Sequence, residues 1–219
     1  SPEEERESDA LLILQNGQIA WIDDTEDGSK GSGLMHHKFV VIDGERVITG
    51  SANFTNSGIH GDAGATQTRG NVNHLISIQN PALATVFQEE FAQMWGDGPG
   101  GANDSRFGRN KTAKPLQTIK AGTANISVLF PPHAKSHQGH GLDVIEDQLG
   151  SAKKTIDLAL FVFSAQQLTN KLAEQISAGV QLRLLADPGF ASRPFSEVLD
   201  LLGLALPDHF CKLEAGNQP

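Results

Sequence analysis

Hydrophobic residues in the first third of the chain occur in short runs that are separated by turn residues. A β-hairpin with a two-residue Asp-Gly turn is predicted within residues 39–49, where "FVVI" and "RVIT" flank "DGE". An earlier hairpin is predicted where "LLIL" (residues 11–14) and "IAWI" (residues 19–22) flank "QNGQ". One more strand is predicted from "NHLISI" at residues 73–78.

Hydrophobic residues then recur at helical spacing. Residues 80–95 read "NPALATVFQEEFAQMW", in which Asn80 is a suitable N-cap and Pro81 fits the first turn. The repeating positions are Leu83, Val86, Phe87, Phe91 and Met94. This pattern predicts one helix that ends near residue 95.

The pattern changes after a break in composition. Residues 96–115 are rich in glycine and proline, which predicts a linker or an ordered long loop. Three strands are predicted beyond it, at residues 126–130, 155–163 and 180–187. Helices are predicted between and after these strands, and one of them is expected to be capped by Ser164 and ended by Gly179. Such an alternation indicates parallel strands covered by helices.

Composition places the chain among ordinary globular proteins. Its 219 residues leave room for one large domain or two small ones, and 38% of them are hydrophobic. The single cysteine, Cys211, excludes a disulfide within the chain. No apolar run reaches the length of a membrane span, so no transmembrane segment is expected.

The termini and the charge leave the compartment open. The chain begins with Ser1 and an acidic stretch that has no signal-peptide pattern, and we expect it to be a piece of a longer protein. The net charge of −9 weighs mildly against nucleic acid as a partner, because such binders usually carry a basic face. No localisation is predicted.

The predicted hairpin gathers polar side chains at one end. Residues two apart in a strand share a face, so His36 and Lys38 point one way and His37 points the other. The returning strand brings Ser51 and Asn53 back to the same end. Lysine, serine and asparagine donate hydrogen bonds to phosphate oxygens, while histidine attacks phosphorus or transfers a proton near neutral pH. The set therefore suits a phosphate group.

These residues belong to one spaced pattern, His36-x-Lys38-x4-Asp43-x6-Gly50-Ser51-x-Asn53. A chance match to six fixed positions is rare, on the order of one in ten million per window. The pattern resembles the HKD motif of the phospholipase D superfamily, and "NVNHLISI" with "FQEEFAQMW" resembles the usual end of an HKD lobe. The similarity is strong over residues 11–95 and looser over residues 126–187.

The resemblance implies cleavage of a phosphodiester bond without a metal ion or other cofactor. It implies catalytic roles for His36, Lys38 and Asp43, and substrate contacts from Ser51 and Asn53. One histidine of the family becomes a phosphohistidine, and a histidine from a second HKD motif protonates the leaving oxygen. Asp43, at the turn, has a simpler role available, which is to hold the hairpin.

One departure from the family pattern is visible. Many relatives have a glutamate shortly after the GSxN segment, where this chain has Asn73. If that glutamate orients a catalytic histidine, the proton transfer differs in detail here.

The resemblance also implies an architecture. The expected fold class is α/β, with phospholipase D-like lobes in which a mixed β-sheet is flanked by helices. Residues 1–98 would be the end of a first lobe, residues 99–124 a linker, and residues 125–219 the beginning of a second lobe. The second HKD motif would come from a missing C-terminal region or from a homodimer partner.

The function expected from the resemblance is a hydrolase that acts on a phosphodiester of a phospholipid or a nucleic acid. Three alternatives stay open, namely a dedicated endonuclease, a phosphatidyltransferase and a non-catalytic binding protein on the same fold. A transferase would use the same site with an alcohol in place of water.

Other residues have simpler interpretations. His37 is expected to pack on the far face of its strand. The histidines of "HAKSHQGH" at residues 133–140 have no standard zinc spacing and are expected in a solvated loop. Arg69 is a weak candidate for substrate contact. The residues expected at the surface or in the core, outside the site, are His60, His74, Trp21 and Trp95.

Overall fold

The computed structural model describes residues 12–14, 16–28, 34–60 and 70–207. The chain divides into two compact units, Ser1–Pro132 and His133–Pro219. Helices and strands are mixed in both units, so the predicted α/β class is confirmed. No helix in the described ranges has both the length and the apolar character needed to cross a bilayer.

The first unit contains the predicted hairpin and the strand that follows it. Strands β1 (Phe39–Ile42), β2 (Arg46–Gly50) and β3 (Leu75–Gln79) form an antiparallel sheet in the order β1-β2-β3. Phe39 pairs with Thr49 across β1 and β2. The return of β2 therefore brings the residues after Gly50 back beside the start of β1.

A tight turn sets the register of this hairpin. Asp43 and Gly44 both have positive φ, 54° and 67°, and Glu45 N donates to Ile42 O at 2.9 Å. Positive φ at both central residues is the property of a type I′ turn, whose twist matches that of the flanking strands. The Asp-Gly pair was thus a correct predictor of this hairpin.

Two helices complete this part of the unit. Helix α1 (Asn56–Ile59) is a single turn, and helix α2 (Pro81–Trp95) is the helix predicted from the sequence. The Asn80 side chain accepts a hydrogen bond from Leu83 N, so both the predicted N-cap and the first-turn proline are confirmed.

A second hairpin lies in the region predicted as a linker. Strand β4 (Gln117–Ala121) pairs antiparallel with β5 (Ala124–Val128), and Gly122 in the turn has a φ of 62°. The strand predicted at residues 126–130 is present as β5, but its pairing is antiparallel, so the predicted place in a parallel sheet is wrong. Strand β4, the partner of β5, was overlooked because its residues were assigned to the predicted linker.

The core of the first unit includes this second hairpin. Its fully buried members lie on β2 and α2: Val47, Leu83, Ala84 and Phe87. The partly buried residues packed against them are Phe39, Val41, Ile78, Ile119, Ile126, Val128 and Phe130. Because four of these follow residue 115, the core extends beyond the predicted first lobe.

The earliest predicted hairpin is wrong within the described residues. Residues 12–14 and 16 are helical, and residues 19–23 form no strand. Gly17 N donates to Ile13 O at 2.9 Å and Ile19 N donates to Leu14 O at 3.0 Å, which ends the helical turn. The run "LLIL" has no polar alternation, and leucine favours a helix at least as well as a strand.

The second unit alternates helix and strand. Its elements are α3 (Gly141–Gly150), β6 (Thr155–Leu160), α4 (Gln166–Ser177), β7 (Gln181–Ala186), α5 (Pro188–Ala191) and α6 (Glu197–Leu201). Strands β6 and β7 pair in parallel, as predicted. Helix α4 begins after Ala165 without a side-chain cap, so the Ser164 cap was wrong, whereas Gly179 follows the helix end with a φ of 91°.

Candidate active site

The HKD hairpin forms one wall of a small polar cavity. The cavity has a volume of about 140 Å³ and opens to solvent. Its lining residues are His36, Lys38, Ser51, Asn53, Thr55, Ser57, Gly58, Asn71 and Asn73. Four of the five predicted site residues are therefore brought together. Thr55, Ser57 and Gly58 were missed, although the polar run that follows Asn53 could have indicated them.

Lys38 joins the two halves of the motif. Its Nζ donates to the His36 carbonyl oxygen at 2.8 Å, and its own carbonyl accepts from Thr49 Oγ1 at 3.0 Å. An ammonium has three N–H donors, so two remain for an anion in the cavity. These two hydrogen bonds connect the segment before β1, which carries His36 and Lys38, to strand β2.

Asn73 connects three sides of the cavity. Its Nδ2 donates to Gly58 O at 3.2 Å and to Asn71 O at 3.3 Å, and its Oδ1 accepts from Ser51 Oγ at 2.9 Å. Both carbonyl oxygens are acceptors only, so the amide nitrogen must face them. A glutamate at this position lacks a donor for either carbonyl.

Ser51 is engaged on both sides. Its hydroxyl donates to Asn73 and accepts from His74 N at 3.1 Å. Because its only proton is directed to Asn73, Ser51 shapes the cavity in this arrangement. Of the motif side chains, Lys38 and Asn53 are left as donors that can face an anion.

Asp43 lies outside the cavity. It is the first residue of the type I′ turn that follows β1. It is five positions along the chain from Lys38, and the four residues between them form β1, which corresponds to a distance of roughly 16 Å. The structure therefore places Asp43 where it can hold the hairpin and not where the other motif side chains meet.

The comparisons with known proteins relate this hairpin to a family. Residues 2–95 match the family described as "Cardiolipin synthase, PLD-like domain". This part of the chain is similar to the phospholipase D superfamily.

Curated relatives carry one recurrent name. The chain is 38% identical over 66 residues to a protein named mitochondrial cardiolipin hydrolase from Xenopus tropicalis, and the aligned part is 30% of this chain and 27% of the relative. It is 36% identical over 61 residues to the protein of that name from Danio rerio, and this aligned part is 28% of this chain and 23% of the relative. The chain thus spans about a quarter of the length of these relatives. No solved structure matches it significantly.

Close packing of the backbone explains why the motif has glycine at position 50. A Cβ at Gly50 would lie 2.1 Å from His74 O and 3.0 Å from Leu75 Cα. Gly50 pairs with Leu75 in the sheet, and the next residue, Ser51, donates its backbone N–H to His74 O at 3.1 Å. Only a residue without a side chain lets β3 approach β2 this closely.

Gly50→Ala is therefore expected to destabilise the first unit by about 1–3 kcal/mol, because one of two backbone segments must move. Urea unfolding followed by fluorescence of Trp21 and Trp95 measures the change. An unchanged urea midpoint for Gly50→Ala would contradict the close approach.

His37 packs on the opposite face of the hairpin, as predicted. Its ring lies 5.6 Å from that of Phe39 and 5.7 Å from that of Phe130, and its Nε2 is 3.3 Å from Glu90 Oε1. An apolar cavity of about 340 Å³ adjoins this face, with His37, Trp21 and Trp95 among its lining residues. Neither tryptophan lines the polar cavity, and both are half-buried.

The remaining candidates do not join the site. His60 and His74 are exposed and neither side chain lines the polar cavity. Arg69 and Cys211 lie outside the described residues. In the second unit the His133 and His137 rings stack at 5.1 Å. Within the described part of the chain, no group of three or more potential ligand side chains could hold a metal ion.

Proposed function

We propose that the chain supplies one half of a phosphodiesterase site, in which His36 forms a phosphohistidine during hydrolysis of a phosphodiester. The observation that carries the proposal is the placement of His36, Lys38 and Asn53 around one open cavity of about 140 Å³. An imidazole, an ammonium and a carboxamide together supply a nucleophile and two hydrogen-bond donors. The family match of residues 2–95 supports the same chemistry.

The first step forms a covalent intermediate. One ring nitrogen of His36 attacks phosphorus, a P–N bond forms, and the P–O bond to the leaving alcohol breaks. Lys38 and the Asn53 amide donate to the non-bridging oxygens, where negative charge accumulates in the transition state. Lys38 is held in place before the reaction, because its Nζ donates to His36 O and its carbonyl oxygen accepts from Thr49 Oγ1.

Both steps need a second acid–base group on the far side of phosphorus from His36. The departing alkoxide takes a proton from a second acid, which then removes a proton from the water that attacks the phosphohistidine. The products are the free alcohol, a phosphomonoester and regenerated His36. The second acid is the histidine of another HKD motif, from a second lobe or from a second copy of the chain. In the opposite assignment, His36 is the acid and its counterpart is the nucleophile.

The proposed substrate is a phospholipid diester. The curated relatives are named for hydrolysis of cardiolipin, and the matching family description names cardiolipin synthase. The net charge of −9 favours a lipid over a nucleic acid mildly. Endonuclease activity, phosphatidyl transfer and binding without turnover are the rival functions.

Turnover of bis(p-nitrophenyl) phosphate by the full-length protein is the first test, because this diester is neither a lipid nor a nucleic acid. Cardiolipin vesicles, single-stranded DNA and cardiolipin with an added alcohol then separate the hydrolase, nuclease and transferase functions. An intact, folded protein that turns over none of these substrates would leave only the binding function.

Activity is expected to survive removal of divalent cations. Lys38 and Asn53 supply the hydrogen bonds and positive charge that a metal supplies in other phosphodiesterases. We expect the rate with excess EDTA to stay within about twofold of the untreated rate. Loss of a catalytic metal ion would lower the rate by much more than this. Loss of turnover in EDTA followed by recovery with magnesium would contradict this mechanism.

A further inference from the structure

A buried carboxylate lies behind the HKD strand and has no part in the proposed chemistry. The Glu90 side chain, on helix α2, is only 1% exposed. Its carboxylate contacts His37 Nε2 at 3.3 Å and Gln93 Nε2 at 2.6 Å, and it forms an ion pair with Lys111. A buried charge is tolerated only when it is paired and hydrogen-bonded, and Glu90 satisfies both conditions.

The cation of this pair comes from outside the family match. Lys111 follows the matched residues 2–95 and its side chain is 5% exposed. Its Nζ also donates to Pro131 O at 3.1 Å, and the neighbouring Thr112 N donates to Gln93 Oε1 at 3.0 Å. The segment predicted as a plain connection therefore inserts a charged side chain into the phospholipase D region.

The carboxylate remains ionised in this environment. Burial alone would raise the pKa of Glu90, but hydrogen bonds from His37 and Lys111, the Lys111 charge and the Gln93 amide together hold that pKa below its usual value. An ionised carboxylate only accepts hydrogen bonds. His37 Nε2 must therefore carry the proton that is directed at Glu90.

The His37 ring is held on three sides, by Glu90, Phe39 and Phe130. His37 lies between His36 and Lys38 just before β1, and it lines the apolar cavity whereas its two neighbours line the polar one. Fixing the His37 ring on the inner face therefore fixes the backbone from which His36 and Lys38 reach the polar cavity.

We propose that Glu90, charge-paired with Lys111, is a positioning residue that holds His36 in line with the bound phosphodiester by anchoring His37. The proposal rests on the proposed function of His36. It gives the segment after residue 95 an indirect role in catalysis. Lys111 of this segment contacts Glu90 on the side of the hairpin that faces away from the polar cavity.

The test compares three variants of the full-length protein. Lys111→Met leaves Glu90 buried without its cation, Lys111→Arg keeps the charge, and Lys114→Met removes the cation of the neighbouring, more exposed pair with Glu89. A small displacement of a reacting group costs up to about a hundredfold in rate. We expect kcat to fall about 10–100-fold in Lys111→Met with KM changed less than threefold. Lys111→Arg should recover most of the rate, and Lys114→Met should match the unmutated protein.

A second readout does not depend on activity. The ring ¹H–¹³C signal of His36, assigned by its loss in His36→Gln, is recorded for the 219-residue chain well below the unfolding temperature. The signal should move in Lys111→Met and return in Lys111→Arg. If the unmutated protein turns over no diester, the proposed function fails, while this readout still decides the positioning.

A purely structural role gives a different result. Folded Lys111→Met with an unchanged kcat and an unchanged His36 signal would overturn the proposal, even if its melting temperature is lower. If Lys111→Met does not fold, the double variant Glu90→Gln/Lys111→Met, which removes both charges, is measured in its place. In that variant a displaced His36 signal supports the proposal, and an unmoved one overturns it.

Discussion

Replacement of His36 by alanine in the full-length protein is expected to lower diester turnover about a thousandfold to a millionfold. In the proposed mechanism His36 forms the covalent bond to phosphorus, so its loss removes the whole two-step route. The corresponding loss of transition-state stabilisation is about 4–8 kcal/mol. The assay is the initial rate with bis(p-nitrophenyl) phosphate, with denaturation curves recorded to show that the variant is folded.

His60→Ala is the matched control for this experiment. His60 is also exposed and is also in the first unit, but its side chain does not line the polar cavity. It should retain the rate of the unmutated protein. Folded His36→Ala with near-normal turnover would show that another residue is the nucleophile and would refute the assignment.

The isolated 219-residue chain is expected to be inactive as a monomer, at roughly a hundredth to a ten-thousandth of the rate of the complete site. That range is the usual contribution of a general acid, which an alkoxide leaving group needs. The chain has a single HKD motif. The cavity walls at His36, Ser51 and Asn53 are exposed to solvent, as expected of a surface that a second lobe or subunit would cover.

Light scattering combined with assays at several concentrations tests this half-site arrangement. If two copies complete the site, specific activity should rise with concentration in step with the dimer fraction. If the second motif belongs to a missing region, activity should appear only in the full-length protein. A strictly monomeric 219-residue sample with full turnover would show that one motif suffices.

The parts of the fold that the sequence predicted well have strong local signals. An Asp-Gly pair between β-branched runs determined the β1–β2 turn, and an Asn-Pro pair determined the start of α2. These features depend on residues two to four positions apart. The grouping of His36, Lys38, Ser51 and Asn53 followed from the same hairpin, so most of the candidate site was predictable.

The parts that failed depend on distant contacts or on ambiguous runs. Nothing near Glu90 indicates that Lys111 neutralises it, because the partners are 21 residues apart and meet only in the tertiary structure. The helical turn at residues 12–14 and the β4–β5 hairpin were missed because short apolar runs fit more than one secondary structure. The role of Asn73 could not be predicted either, because it depends on three hydrogen bonds that form together only in the folded structure.

The second hairpin also bears on where this protein can be cut. Ile119, Ile126 and Val128 cover the buried face that Val47 and Phe87 present. A gene fragment that stops at Trp95, where the family match ends, would leave that face exposed to water and Glu90 without its cation. The smallest piece suited to expression therefore ends near Pro132, and a fusion joint placed between residues 96 and 131 would divide a single folded body.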